Sequence, residues 1–346
     1  MPVPDIPHDQ VRAVARRLLA SRDVVVTSHI TPDADGIGTA IALIRALRSL
    51  GKRARMISCS TAPKEVSFLW RPGEFEVWQQ DIHAPQLKDA DVIVATDLGG
   101  THRLGRMEVP VREAPGSKIV IDHHAYAEEL FDTPLVVMGA SSSAEVVSWV
   151  LDELGVPISP EIATPLYAGL AADTGWFAYD ATSCRALTLA ARLVAAGALP
   201  NVIWRELECK KSILKMRVFG ELLANLKVEH AGRLVHVKVD RQFLKKHQVE
   251  PRDTFEVVNH FMRMDGVEAG ALFLQLGSDK TKVSVRSAGR IDLLPLAKSF
   301  GGGGHRFAVG FTADHIAFDE ITSRVLPVLA REIEVADEAE KQATIA

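Results

Sequence analysis

The chain has 346 residues, 47% hydrophobic and 24% charged, with a formal net charge of -4; this leaves room for two cores at about 150 residues each and excludes a protein that coats long nucleic acid through a broad basic face. A short anionic ligand stays compatible with that balance. Three cysteines, Cys59, Cys184 and Cys209, form neither a CxxC pair nor an even set, which argues against a disulfide framework or a thiolate zinc site. No charge-free apolar run reaches about 18 residues and MPVPDIPHDQ lacks a signal-peptide core, so a soluble, unexported, cytoplasmic protein is expected.

In chain order, Val11 to Ala20 predicts a short helix and Val24 to Thr27 a compact strand running into Ser28 and His29. The loop ITPDADGIGTA follows, then a helical pattern from Ile41 to Leu50 with Gly51 as its stop. Arg55 to Cys59 is the next strand, followed by an irregular region holding Trp70, Pro72 and Trp78. DVIVA, Asp91 to Ala95, leads to Asp97 and then to Gly99, Gly100 and Arg103. Lys118 to Leu130, KIVIDHHAYAEEL, is the stretch around which the rest is organised: β-branched residues end abruptly in Asp122, His123 and His124. Apolar runs of this kind read as buried parallel strands. Three of them, ending in His29, Asp97 and Asp122 to His124, place polar side chains along one edge of a parallel sheet, where open α/β sheets bind ligands.

Helical patterns cover Ser142 to Leu154, Pro160 to Leu170 and Ser183 to Ala196, the second running into AADTGWF with Asp173. Val202 to Leu226, long, amphipathic and mixed in charge, suits a connecting helix. After it the texture changes to strands at Leu234 to Val239, Ala269 to Leu276 and Lys282 to Arg286, with a helix between Phe255 and Met264 and a charged, fraying helical tail from Glu332. The expected architecture is α/β in two domains: a larger parallel-sheet domain over residues 1–200, a connecting helix over 201–227, a smaller α/β domain over 228–330 and a charged tail over 331–346.

His29, Asp33 and Asp35 form H-x3-D-x-D in one loop. Imidazole and carboxylates are ligands for Mn²⁺, Mg²⁺ or Zn²⁺, and carboxylates this close repel one another without a cation between them. Alone, the loop reads equally as a turn whose Asp33 caps the next helix. Asp97, His123 and Asp173, each at an element end, tip the balance toward metal: six ligand-type residues without a thiolate suit an open pair of ions, the arrangement that promotes in-line displacement at phosphorus. Gly301 to His305, GGGGH, reads in isolation as a flexible turn, but it lies between the helix-like DLLPLAKSF and the strand-like FAVGF, where glycine amides suit close approach to an anion.

SHITPDAD, VATDLGG, VIDHHA and AADTG, in that order, resemble the four motifs of the DHH phosphoesterases, and SVRSAGRIDLLPLAKSFGGGGHRFAVG resembles the C-terminal domain associated with that family. The resemblance implies two divalent ions, Mn²⁺ foremost with Mg²⁺ or Co²⁺ as alternatives. His29 and Asp33 would hold one ion, Asp35, His123 and Asp173 the other, and Asp97 would bridge them. His124 would face the substrate phosphate with Asp122 behind it. Arg286, Gly302, Gly303, Gly304 and His305 would grip the substrate from the smaller domain. The branch that degrades oligoribonucleotides of a few nucleotides and dephosphorylates 3′-phosphoadenosine 5′-phosphate (pAp) fits the chain length. The alternatives are a cyclic or linear dinucleotide phosphodiesterase and, less favoured, a non-catalytic nucleotide-binding regulator. The implied partner is a short oligonucleotide or mononucleotide bisphosphate, with no membrane; a homodimer is compatible. One departure stands out, since DADGIGT replaces the more usual DGDAIGS and puts Gly36 and Thr39 at positions normally filled otherwise. His230, His236, His247 and His260 receive no role.

Overall fold

The computed structural model describes residues 5–124 and 130–345, apart from the side chains of His305 and residues 343–345. It divides into two compact units, Met1–Lys210 and Lys211–Ala346. In the first, the order is α1 (His8–Ala20), β1 (Asp23–Thr27), α2 (Ala34–Ser49), β2 (Arg53–Ser58), β3 (Phe75–Val77), α3 (Gln80–Asp89), β4 (Val92–Thr96), α4 (Glu108–Glu113), β5 (Ser117–Asp122), β6 (Thr133–Val136), α5 (Ser143–Glu153), α6 (Pro160–Asp173), α7 (Cys184–Ala195) and α8 (Pro200–Glu208). The six strands run β3-β2-β1-β4-β5-β6 and all pairs are parallel. Strand order reverses between β1 and β4, the point where a doubly wound sheet opens a crevice at its carboxyl edge.

The apolar runs form strands because both faces are covered. Val24, Val26, Val94, Ile119 and Ile121 pack with α1, α2, α5 and α6 on one face, while Val25, Ile93, Ala95 and Val120 pack on the other with Leu87 of α3 and Val111 of α4. Each such buried valine or isoleucine contributes roughly 1.5 to 3 kcal/mol. Register then brings the polar ends level, with Thr27 beside Ala95 and Thr96 beside Ile121. Helix α2 starts seven residues earlier than the spacing predicts, because Asp33 caps it by accepting from the Asp35 and Gly36 amides.

The second unit contains α9 (Ile213–Ala224), β7 (Lys227–Glu229), β8 (Leu234–Val239), α10 (Arg241–His247), α11 (Val257–Phe261), β9 (Ala269–Gln275), β10 (Lys280–Ser287), α12 (Leu294–Ser299), β11 (Gly303–His305), β12 (Ala308–Asp314) and α13 (Phe318–Ile345). Its sheet is mixed, ordered β11-β12-β10-β9-β8-β7, with only the β8–β9 pair parallel. The expected connecting helix is in fact α8 and α9, broken where Cys209 ends one and the Ser212 hydroxyl caps the other at the Lys215 amide, 3.1 Å away. The expected charged tail is the continuation of α13, whose Ile321, Val325, Leu329 and Ile333 are fully buried and whose Asp337 pairs with Arg233 at 2.6 Å. Among the described residues no single helix is long and apolar enough to cross a membrane.

Candidate metal centre

Each ligand-type residue of the first unit lies where a strand or helix ends. His29 follows β1, is 4% exposed, and its Nδ1 lies 2.8 Å from the Ile30 carbonyl, which accepts the Nδ1 proton, so that in the neutral ring Nε2 is the nitrogen with the lone pair. That Nε2 is 3.8 Å from Asp33 Oδ2 and 3.4 Å from Asp97 Oδ2. Asp33 is fixed by its capping role: Oδ1 accepts from the Asp35 and Gly36 amides at 3.0 and 3.1 Å, so Oδ2 is left facing His29. The cap and the candidate ligand are the same residue.

Asp35 sits fully buried in the first turn of α2. Oδ2 accepts from the Ser143 amide at 2.7 Å, while Oδ1 accepts from the Ala144 amide at 3.0 Å and the Thr39 hydroxyl at 3.1 Å. The two amides open α5, whose positive end favours an anion there. Close helix approach makes this geometry attainable: a Cβ at Gly169 of α6 would stand 2.5 Å from Asp35 Oδ1, and one at Gly38 2.3 Å from the Pro165 carbonyl oxygen. Both departures from the usual motif also have local causes. A Cβ at Gly36 would stand 2.4 Å from Ser28 Oγ, and the Thr39 hydroxyl reaches back to Asp35.

Asp97, 3% exposed, follows β4 with φ of 51°, a left-handed conformation uncommon outside glycine and better tolerated by Asp than by bulkier residues. Its two oxygens face opposite imidazoles: Oδ2 is 3.4 Å from His29 Nε2, and Oδ1 is 3.6 Å from His123 Nε2 and 3.4 Å from His124 Nδ1. His123 Nδ1 lies 3.2 Å from the Ala140 carbonyl, which accepts its proton, and Nε2 is 3.1 Å from Asp173 Oδ2 at the end of α6. Candidate donor atoms fall into overlapping sets, each within 4.8 Å: His29, Asp33 and Asp97; Asp35, His123 and Asp173; Asp97, His123 and His124. Behind them Asp122 is fully buried and accepts from the Leu98, Gly99, His123 and His124 amides and from His124 Nδ1–H.

Charge in this cluster is out of balance without a cation. Burial opposes ionisation of His29, yet the Asp33 and Asp97 carboxylates outweigh it and lift its pKa to about 10. Burial likewise opposes charge on His123, but Asp173, Asp97 and Asp35 raise its pKa well above the ordinary imidazole value. Burial, together with Asp173 and Asp97, pushes Asp35 far up, and burial raises Asp173 against the pull of His123. For Asp122 burial is outweighed by His124 and the amides, which hold its carboxyl below the usual range. Oxygen and imidazole donors without a thiolate, carrying carboxylates that cannot all ionise unaided, fit hard or borderline divalent cations.

In the second unit, Arg286 on β10 stands opposite Ala308 of β12, and Ala308 stands opposite His305 of β11, so the three share one row of the sheet. The His305 side chain lies outside the described residues. Arg286 Nε–H donates to Asn259 Oδ1 at 2.9 Å. The glycine run is structural as well as open. A Cβ at Gly302 would stand 2.3 Å from Phe311 Cβ, and one at Gly304, where φ is 139°, 2.3 Å from the Ala308 carbonyl oxygen; Gly301 and Gly303 meet nothing within 4 Å. Sequence reasoning missed the supports of Asp35, the Thr39 hydroxyl and the Ser143 and Ala144 amides. Lys282 of β10 lies 3.8 Å over the Phe255 ring, its pKa lowered by burial and by Arg286.

Residues 23–170 match the N-terminal domain of the DHH family and residues 232–330 the DHHA1 domain. The chain therefore carries an N-terminal domain of the DHH family followed by a DHHA1 domain. It is similar to the bifunctional oligoribonuclease and PAP phosphatase NrnA of Thermus thermophilus, 28% identical over 326 residues that cover 94% of this chain and 95% of that one. The protein of the same description from Bacillus subtilis is 24% identical over 292 residues, covering 83% and 88%. Among solved structures, an exopolyphosphatase-related protein from Bacteroides fragilis shares the fold with a TM-score of 0.85 at 24% identity, covering 99% of each chain.

Proposed function

We propose that this protein is a two-metal phosphoesterase that hydrolyses oligoribonucleotides of a few nucleotides, pAp, or both. The observation that carries the reading is Asp97, whose two oxygens face His29 on one side and His123 and His124 on the other at 3.4 to 3.6 Å. In this reading His29 and Asp33 would hold one ion, Asp35, His123 and Asp173 the other, and Asp97 would serve both. Mn²⁺ is the ion proposed, with Mg²⁺ or Co²⁺ as substitutes. When bound, such ions supply charge neutralisation and Lewis acidity to a phosphoryl group. The chain's own residues do the rest. Asp122 and the Ala140 carbonyl hold the His124 and His123 rings by their Nδ1 protons, which fixes both tautomers. His124 is proposed to face the substrate phosphate. Water adds to phosphorus, the P–O ester bond breaks, and one proton passes to the leaving oxygen, so an alcohol and a phosphate result. Recognition is assigned to the second unit, through Arg286, Gly302, Gly303, Gly304 and His305.

Purified protein with Mn²⁺, tested side by side on pAp, a labelled dinucleotide, a longer RNA and cyclic di-AMP, decides the matter. Turnover of pAp or the dinucleotide well above the longer RNA is expected. Preference for cyclic di-AMP would shift the assignment to a cyclic dinucleotide phosphodiesterase, and no hydrolysis of any of the four would leave a nucleotide-binding regulator.

A further inference from the structure

Arg103 enters none of the chemistry above. It lies in the 3-10 turn Thr101–Met107 just after Asp97, half-buried, with its guanidinium against Gly99. A Cβ added at Gly99 would stand 2.9 Å from Arg103 Nη1 and 3.6 Å from His124 Cγ, so the arginine and the second histidine of the DHH motif meet over a position that carries no side chain. Gly99 has φ of 67°, which independently favours glycine there.

The backbone of Arg103 is pinned. Its carbonyl accepts from the Ile30 amide at 2.7 Å and from Cys59 Sγ–H at 3.8 Å, and its own amide donates to Gly100 at 3.0 Å. Ile30 is the neighbour of His29, so the arginine is tied to the loop that carries a candidate metal ligand. The side chain is treated differently. Among the described residues its guanidinium has no hydrogen-bond acceptor and no carboxylate partner, whereas the part-buried Arg45, Arg55 and Arg233 each pair with a carboxylate at 2.6 to 2.9 Å. Withdrawing a guanidinium from water without an anion is unfavourable. Its planar fork matches two oxygens of a phosphate.

We propose that Arg103 is a further substrate-binding residue, whose guanidinium takes two non-bridging oxygens of the scissile phosphate beside His124 and stabilises the charge that develops there. The proposal rests on the phosphoesterase reading. A fixed donor beside the reacting group acts mainly in the transition state, so its loss is felt in kcat/KM.

The test uses the full chain loaded with Mn²⁺, comparing wild type with Arg103→Ala and Arg103→Lys. Readouts are kcat/KM on pAp and a dinucleotide, metal content, the urea midpoint, and calorimetric binding of 5′-AMP. Arg103→Ala should lower kcat/KM by roughly 100-fold and weaken AMP binding, at wild-type metal content and midpoint. Arg103→Lys, with charge but no fork, should recover about a tenth of wild-type activity, and added guanidinium should partly rescue the alanine variant. Activity of Arg103→Ala within about threefold of wild type overturns the proposal, as does a fall in activity that tracks lost metal or lost stability, since the arginine would then be structural. A wild-type protein that hydrolyses no phosphoester removes the phosphoesterase reading, and this inference with it.

Discussion

Asp122→Asn isolates the residue on which the histidine pair depends. Asp122 Oδ2 accepts from the Leu98 and Gly99 amides at 2.8 and 2.6 Å, and Oδ1 accepts from the His123 and His124 amides and His124 Nδ1–H at 2.7 to 3.0 Å. Asparagine keeps the shape but turns one oxygen into an NH₂ that confronts two or three donors. Hydrogen bonds to a charged group contribute about 1.5 to 3 kcal/mol each, so losing two and weakening the rest should cost about 3 to 5 kcal/mol, a large share of the roughly 5 to 15 kcal/mol typical of a domain. All five tryptophans precede Lys211, so intrinsic fluorescence reports the first unit within the intact chain. In urea with chelator present, the midpoint should fall by about 1 to 2 M. The sign of the pH effect follows from the depressed Asp122 pKa: its stabilisation is present above the ordinary carboxylate value and lost as pH falls, so the gap between wild type and variant should hold down to about pH 5 and narrow below about pH 4. An unchanged midpoint, or a gap that widens in acid, would refute the account.

Chelation should abolish hydrolysis and Mn²⁺ restore it; Asp97→Asn should lower occupancy at both ion sites while Asp33→Asn empties mainly one, and equal single-site losses by metal analysis would count against a shared Asp97. Because the His29 pKa is raised to about 10, the metal-free ring is protonated at pH 7 and must lose its proton to bind an ion, so metal affinity should climb from pH 7 to 9 with protons released. Calorimetry in buffers of different ionisation enthalpy measures this, and an affinity flat across that range would contradict it. Gly36→Ala, with its Cβ 2.4 Å from Ser28 Oγ, should destabilise the first unit by about 1 to 3 kcal/mol, and adding Ser28→Ala should relieve most of it; strict additivity of the two changes would show that no such contact limits the site.

What the sequence made legible were strands with a buried apolar run and helices with a serine or proline at their start. β1, β4 and β5 are β-branched runs whose apolar residues are buried on both faces, and α5, α6 and α7 begin within one residue of the expected starts at Ser142, Pro160 and Ser183. Strands β3 and β6 escaped because they are short edge strands, three and four residues long, mostly half-buried, and Pro134 interrupts the second. The connector misled because amphipathic spacing continues through α8 and α9 while only the Ser212 cap marks the break. The ligand-type residues themselves stood out by chemical type and position. Their supports did not, because the Asp35 contacts to Ser143 and Ala144 join residues 108 and 109 positions apart, and nothing local in either segment signals the other.

The same supports explain why the cluster calls for cations rather than merely tolerating them. Two helix N-termini are directed at the aspartates, that of α2 through the Asp33 cap and that of α5 through the Ser143 and Ala144 amides on Asp35. Partial charge of about half a unit at each end favours anions there. Even so, burial and neighbouring carboxylates hold Asp35 and Asp173 above their ordinary pKa values, while His29 and His123 are driven to take up protons. The fold's dipoles are thus too weak for the acids it gathers, and in the metal-free protein protons make up the difference. Divalent ions at the same place would release those protons, restore neutral imidazoles, and turn a self-repelling cluster into one that attracts a phosphate. A half-buried arginine beside such a cluster, unpaired with any of its four aspartates Asp33, Asp35, Asp97 and Asp173, would find in that phosphate the counter-charge proposed for it.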